Sequence, residues 1–200
     1  MPYITVCLSF GKSMIDKEVI DMVLVLQEFT TPANTVVIAD TAAPPGTLPT
    51  PAVATPPAMV SPLVDGSNAY IWSPNTASNQ TVTFQSTFDI GTLPILTLAL
   101  PLSAYYAFAA NEIASVSASL EVVNLLGVVV ATIPLFAGSN SGSSQDVAIT
   151  SGDTLLAVGL LGNTGRVVVT AIVTSPVATG YSPNPGRYLG QLTVHSILAV

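Results

Sequence analysis

Between Asn111 and Ser175 the chain writes four apolar, β-branched runs separated by turn residues, and this stretch constrains the fold more than any other. In ASVSASLEVV, Val116, Ala118, Leu120 and Val122 fall on one face and Ser115, Ser117, Ser119 and Glu121 on the other. Successive side chains of a strand point to opposite faces, so this period-two pattern predicts a half-buried strand in an antiparallel sheet. The same logic reads Pro2–Phe10 as a strand, with Ile4, Val6, Leu8 and Phe10 opposite Tyr3, Thr5, Cys7 and Ser9. It gives strands at residues 69–72, at 81–90, where Val82, Phe84, Ser86 and Phe88 share a face, and from Tyr188 to the C-terminus. The segment GKSMIDKEVIDMVLVLQEFTT fits helical spacing at Ile15, Val19, Met22, Val23 and Leu26, while VLVLQEF also reads as strand.

From Thr30 to Pro62 eight prolines exclude a helix and a central strand. Extended chain is the expectation there, either a flexible linker or an ordered arm lying on its own or a neighbouring domain. The interleaved Val53, Met59 and Val60 favour packing, because a solvated linker is more polar. The expected organisation is therefore an N-terminal strand and ambiguous segment over 1–29, a proline-rich arm or linker over 30–64, and a β-sandwich over 65–200. GSNSGSS (138–144) and GNTG (162–165) are read as hairpin connections.

Charge narrows the function. Asp, Glu, Lys and Arg make up 8% of the chain, against about 25% in an ordinary soluble domain, so hydroxyls and amides must wet the surface or neighbours must cover it. The net charge is −7, and the only fixed cations are Lys12, Lys17, Arg166 and Arg187. That leaves no basic patch to displace counterions from phosphates, so direct nucleic-acid binding is not expected. Gly11-Lys12-Ser13 lacks the upstream glycine of a phosphate loop, since Val6 stands there. The most apolar window, LPILTLALPL (93–102), is half a bilayer span, so membrane insertion is not expected. No secretory signal pattern is legible at the N-terminus, which leaves the export route open.

Candidates for chemistry are few. The one histidine, His195, sits in the last strand, and the one cysteine, Cys7, in the first. Both read as ordinary strand residues, with Cys7 a candidate for an intermolecular bridge. Asp65-Gly66-Ser67-Asn68 is turn chemistry with a fragment of a calcium site, and no spaced carboxylates complete it. Neither a catalytic residue, a metal site nor a cofactor is expected, and the chain reads as a non-enzyme. Tyr70, Trp72, Tyr105 and Tyr106 are the candidates for a platform that would stack sugar rings.

The run SSQDVAITSGDTLLAVGLLGNTGRVVVTAIV (143–173) resembles the penultimate strands of jelly-roll domains in spore-surface proteins. These are the endospore-appendage subunits of Gram-positive spore formers and the C1q- and tumour-necrosis-factor-like C-terminal domains of exosporium proteins. The resemblance implies a self-assembling jelly roll with an N-terminal arm joining subunits. The expectation is an all-β antiparallel sandwich, a jelly roll, whose partners are copies of itself in an extracellular filament or appendage, or a shell. Ile4, Val6, Cys7, Leu8, Phe10, Val53, Met59 and Val60 are the expected joints. A virus capsid or decoration protein is the alternative within that class, and a carbohydrate-binding or adhesive module the alternative outside it.

Overall fold

The computed structural model describes residues 4–5, 20–55, 70–92, 100–110, 113–140, 147–156, 163–175 and 186–199. Among them there is no helix. The strands are β1 (Ile4–Thr5), β2 (Ile20–Phe29), β3 (Thr35–Asp40), β4 (Thr50–Pro51), β5 (Val53–Thr55), β6 (Tyr70–Trp72), β7 (Gln80–Thr92), β8 (Leu100–Ala110), β9 (Ile113–Val123), β10 (Val129–Ser139), β11 (Ala148–Leu156), β12 (Thr164–Ser175) and β13 (Tyr188–Ala199). They form a seven-stranded and a six-stranded sheet, antiparallel at every pairing.

The long strands give the topology. In the first sheet β2 pairs with β13, β13 with β8 and β8 with β11; in the second the order is β7, β12, β9, β10. Numbered one to eight along the chain, these strands run 1-8-3-6 in one sheet and 2-7-4-5 in the other. That is the double Greek key of a jelly roll. The short strands β3 to β6 are inserted between its first and second members: β3 and β4 extend the second sheet beyond β7, and β5 and β6 flank β13 in the first.

Alternation builds the core as the sequence predicts. On β9 Ala114, Val116, Leu120 and Val122 are buried, and on β12 Val167, Val169, Ala171 and Val173 face them. Val82, Phe84 and Phe88 of β7 continue the layer. Aromatic rings then tie sheet to sheet. Phe84 stacks on Tyr188 with centroids 5.5 Å apart, Trp72 leans on Phe84 at 5.7 Å, and Tyr106 of the first sheet stacks on Phe136 of the second at 5.7 Å. The outer face of the second sheet carries Ser115, Ser117, Thr170, Thr83 and Thr87, so hydroxyls wet a surface that has almost no charge. An ion pair there, Arg166 to Glu121 at 2.7 Å, joins neighbouring strands at the surface and contributes about 0–1 kcal/mol.

The structure decides two open readings and changes a third. Within the segment that reads as helix or strand, residues 20–29 are β2, whose nine residue pairs with β13 place it inside the first sheet, and residues 11–19 lie outside the described residues. Residues 30–55 run extended along their own sandwich, one of the placements expected of an ordered arm, and pair with strands on the far side of residue 64. The prolines fit because they stand in the turn at Pro32, in the loop at Pro44 and Pro45, and on the edge strand at Pro51, where no central ladder bond is lost. Finally, the connections after β10 and after β11 are not hairpins: β11 belongs to the first sheet and β10 and β12 to the second, so both cross between sheets.

Candidate interaction surface

The β9–β10 hairpin ends in Asn124-Leu125-Leu126-Gly127-Val128, and its backbone is fixed by one side chain. Asn124 Oδ1 accepts from the backbone N–H groups of Leu126 at 2.9 Å and Val128 at 3.0 Å. Asn124 N–H donates to the Val128 carbonyl and Gly127 N–H to the Asn124 carbonyl, both at 2.9 Å. Gly127 takes a φ of +77°, a conformation that costs glycine nothing and a β-carbon something. The turn is therefore closed by its own hydrogen bonds and does not need apolar burial to hold its shape. Its apolar side chains point away from the protein: Leu125 is 82% exposed and Leu126 86%. Val128, Val129 and Val130 are exposed as well, and because successive strand residues face opposite ways, both faces of the hairpin end are bare.

The adjoining strand is the edge of the second sheet and is blunted. Its register with β9 shifts between Val129 and Ala131 and again between Pro134 and Phe136, and Pro134 cannot donate to a further strand. Thr150 Oγ1 of β11 donates to the Ala137 carbonyl at 3.0 Å, which ties the far end of β10 to the first sheet. Open-ended strand addition is thus opposed along β10, while the hairpin end stays accessible. Other exposed apolar groups are dispersed: Leu24, Tyr105 and Ile149 on the outer face of the first sheet, Ile113 and Ile172 on that of the second.

The residues singled out in the sequence are placed as follows. Ile4 lies in β1, opposite Met22 of β2. Val53 is a partly exposed residue of β5, opposite Trp72. Val6, Cys7, Leu8, Phe10, Met59 and Val60 lie outside the described residues, as does the turn at 65–68. The four aromatic candidates do not form a platform. Tyr70, Trp72 and Tyr106 are 2%, 1% and 0% exposed, and only Tyr105 reaches solvent, its ring edge-on to His195 at 6.0 Å. Tyr106 points inward because it shares the inward face of β8 with Leu102, Ala104 and Phe108. Every residue of β6 is buried, so strand alternation alone does not bring Tyr70 to the surface.

His195 stands opposite Ser103, which stands opposite Asp153, so the three form a row across β13, β8 and β11. Ser103 Oγ donates to Asp153 Oδ1 at 2.6 Å, and His195 Nδ1 has no hydrogen-bond partner. The serine is turned to the carboxylate, and their hydrogen bond links β8 to β11. Among the described residues no group of three His, Cys, Asp or Glu could hold a metal ion. No helix among them is long and apolar enough to cross a membrane.

A second polar cluster is structural. Asp40 at the end of β3 accepts hydrogen bonds from Ser73 Oγ, Asn75 Nδ2, the Ala42 N–H and Gln80 Nε2. Gln80 Oε1 in turn accepts from Trp72 Nε1 at 3.1 Å and from the Ala77 N–H at 3.2 Å. Burial pushes the Asp40 carboxyl up, but the hydrogen bonds from Ser73, Ala42, Gln80 and Asn75 outweigh it and hold the group below its ordinary 3.8. A carboxylate whose folded pKa is depressed contributes stability above its unfolded pKa and loses it as pH falls through the folded value. Asp40→Ala is expected to lower stability by about 2–4 kcal/mol at pH 7, because it leaves partly buried donors unmet. Urea titrations should show this difference narrowing below about pH 4, the range where the carboxylate protonates. A difference that stays constant down to pH 2 would mean that the charge contributes nothing.

No family model and no curated protein matches this chain. Among solved structures, the enzymatically active domain of bacteriophage CBA120 tailspike protein 4 matches with a TM-score of 0.41 and 12% identity, over 84% of this chain and 20% of that one. A structure of infectious bursal disease virus, Gx strain, matches at 0.37 and 10%, over 74% and 37%. A structure described for the promiscuous specificity of carbohydrate-binding modules from the β-sandwich superfamily matches at 0.32 and 10%, over 86% and 56%. The chain thus spans between a fifth and just over half of the length of these structures.

Proposed function

We propose that this chain is a non-enzymatic structural subunit that assembles with copies of itself into a shell or filament on a virion or an extracellular surface. The observation that carries this reading is the ordered hairpin end, where two leucines and three valines stand exposed on a self-closed turn. The largest apolar patch of a domain is often its interaction site, and this one stands on an ordered element. The paucity of charge supports the same reading, since the centres of permanent contacts are depleted of charged residues. The carboxylates of Asp40, Glu121 and Asp153 are each occupied by hydrogen bonds within the fold, a structural employment and not a catalytic one.

Within that class the shell is favoured over the filament. The eight-strand order is one that capsid domains use, an analogy of fold, and it leaves residues 30–55 engaged in their own sandwich instead of free to reach a neighbour. The test is light scattering with negative-stain microscopy on the full chain, with and without reductant. Closed particles or filaments far above the 20.5 kDa monomer support the reading. A monomer at every concentration tested rejects it, and dispersal on reduction would assign the joint to Cys7.

A further inference from the structure

We propose that the β9–β10 hairpin end is the joint through which copies of this chain meet, which rests on the self-assembly reading above and names its contact. The occupant is a second copy of the chain, and two features of the surface select it.

The first is charge. Copies that each carry −7 repel wherever carboxylates face one another. No charged residue stands between Glu121 and Asp146, so the hairpin end is a surface on which two such chains can approach without that penalty. A lipid surface fits less well. Segments that enter membranes carry Lys or Arg, Trp or Tyr to seat at the headgroups, and residues 122–145 contain none of them.

The second feature is area. Leu125, Leu126, Val128, Val129 and Val130 together expose roughly 500 Å² of residue surface, within the range of the largest, often functional, apolar patches of monomers. Two copies burying this surface against each other would remove roughly 1,000 Å² in all, where specific contacts begin. The bulges and Pro134 of β10 limit the contact to the hairpin end, since they oppose continuation of the sheet from copy to copy. A contact made by the same patch on both copies is self-complementary and closes as a two-fold pair, so a larger particle is built from such pairs through further contacts.

The experiment compares the wild-type chain with Leu125→Asp/Leu126→Asp and with Ile149→Asp, which places an aspartate on the outer face of the first sheet instead. Leu125→Ser/Leu126→Ser serves the same purpose should aspartates disturb the turn. Each protein is measured by light scattering over a hundredfold range of concentration, by thermal unfolding, and by co-sedimentation with vesicles of neutral and anionic phospholipid. The inference expects the wild type and Ile149→Asp to assemble alike, and the double variants to need at least tenfold higher concentration to assemble while still unfolding in one cooperative transition. Assembly of the double variants at wild-type concentrations would overturn the inference and leave the structural reading standing. A wild type that never assembles would overturn both. Vesicle binding by the wild type that the double variants lose would overturn the choice of occupant in favour of lipid.

Discussion

Deleting residues 1–55 is expected to abolish folding, not merely assembly. The cut removes β2, and with it nine residue pairs along one whole side of β13. It removes β3 from the flank of β7, together with the buried Val37 and Ala52 and the hydrogen bond between Thr35 and Ser86 at 2.8 Å. Thr30, whose hydroxyl accepts from the Gly190 N–H at 2.9 Å, goes too. The loss of Asp40 strands Ser73, Asn75 and Gln80 without their acceptor. Burial lost at about 1.5–3 kcal/mol per large side chain and orphaned polar groups at about 1–3 kcal/mol each together match the roughly 5–15 kcal/mol that holds a whole domain. Far-UV circular dichroism and urea titration check this: the truncated chain should show no cooperative transition. A cut after residue 19 takes from the described structure only the two-pair ladder of β1, and should retain the transition. Cooperative unfolding of the 56–200 fragment would mean that the N-terminal strands are accessory after all.

That prediction marks where the sequence is readable and where it is not. Side-chain alternation is local, and it reads β9, β7 and the inward set of β12 residue by residue. Pairing is not local. Gly- and Ser-rich connections flank β11 on both sides, and turn chemistry alone reads them as hairpins. Whether a turn returns the chain to the neighbouring strand or carries it to the other sheet depends on distant partners such as Thr154 opposite Leu102. Proline misleads for a related reason: it excludes a central strand but tolerates an edge, and β4 ends on Pro51 at an edge. The aromatic candidates were misplaced because burial of both faces at β6 comes from covering elements that no periodicity of three residues can reveal.

The hairpin end did have a signal. NLLGVVV places apolar residues through an Asn-x-x-Gly turn, where polar residues ordinarily stand, and an exposed run of that kind is an anomaly in any half-buried sheet. Its importance became legible only once Asn124 was seen to close the turn without help from Leu125 or Leu126.

Gly190→Ala is expected to be a severely damaging single-methyl change in the core. Gly190 lies on β13 opposite Phe108, and a β-carbon there would stand 1.8 Å from the Tyr106 hydroxyl oxygen and 2.3 Å from its ring carbon. Tyr106 cannot step aside. Its hydroxyl shares a 2.6 Å hydrogen bond with the Tyr188 hydroxyl, and both rings are 0% exposed, one stacked on Phe136 and the other on Phe84. Overpacking a core that cannot relax costs about 1–3 kcal/mol, and disrupting a buried hydroxyl pair adds about 1–3 more. At about 2–4 °C per kcal/mol for a chain of this length, the melting temperature should fall by at least about 4 °C. Tyr106→Phe removes the nearest atom of the clash but leaves the ring, so the double variant should be more stable than the sum of the two single losses predicts, a coupling that a double-mutant cycle reads directly. Additive losses would mean that the ring and the new methyl do not meet. The same pair sets an alkaline limit: burial raises both phenols above their ordinary 10, so their contribution is intact below pH 10 and is lost as the unfolded chain ionises above it. Tyr106→Phe, which leaves one phenol of the two, should make that alkaline loss shallower than in the wild type.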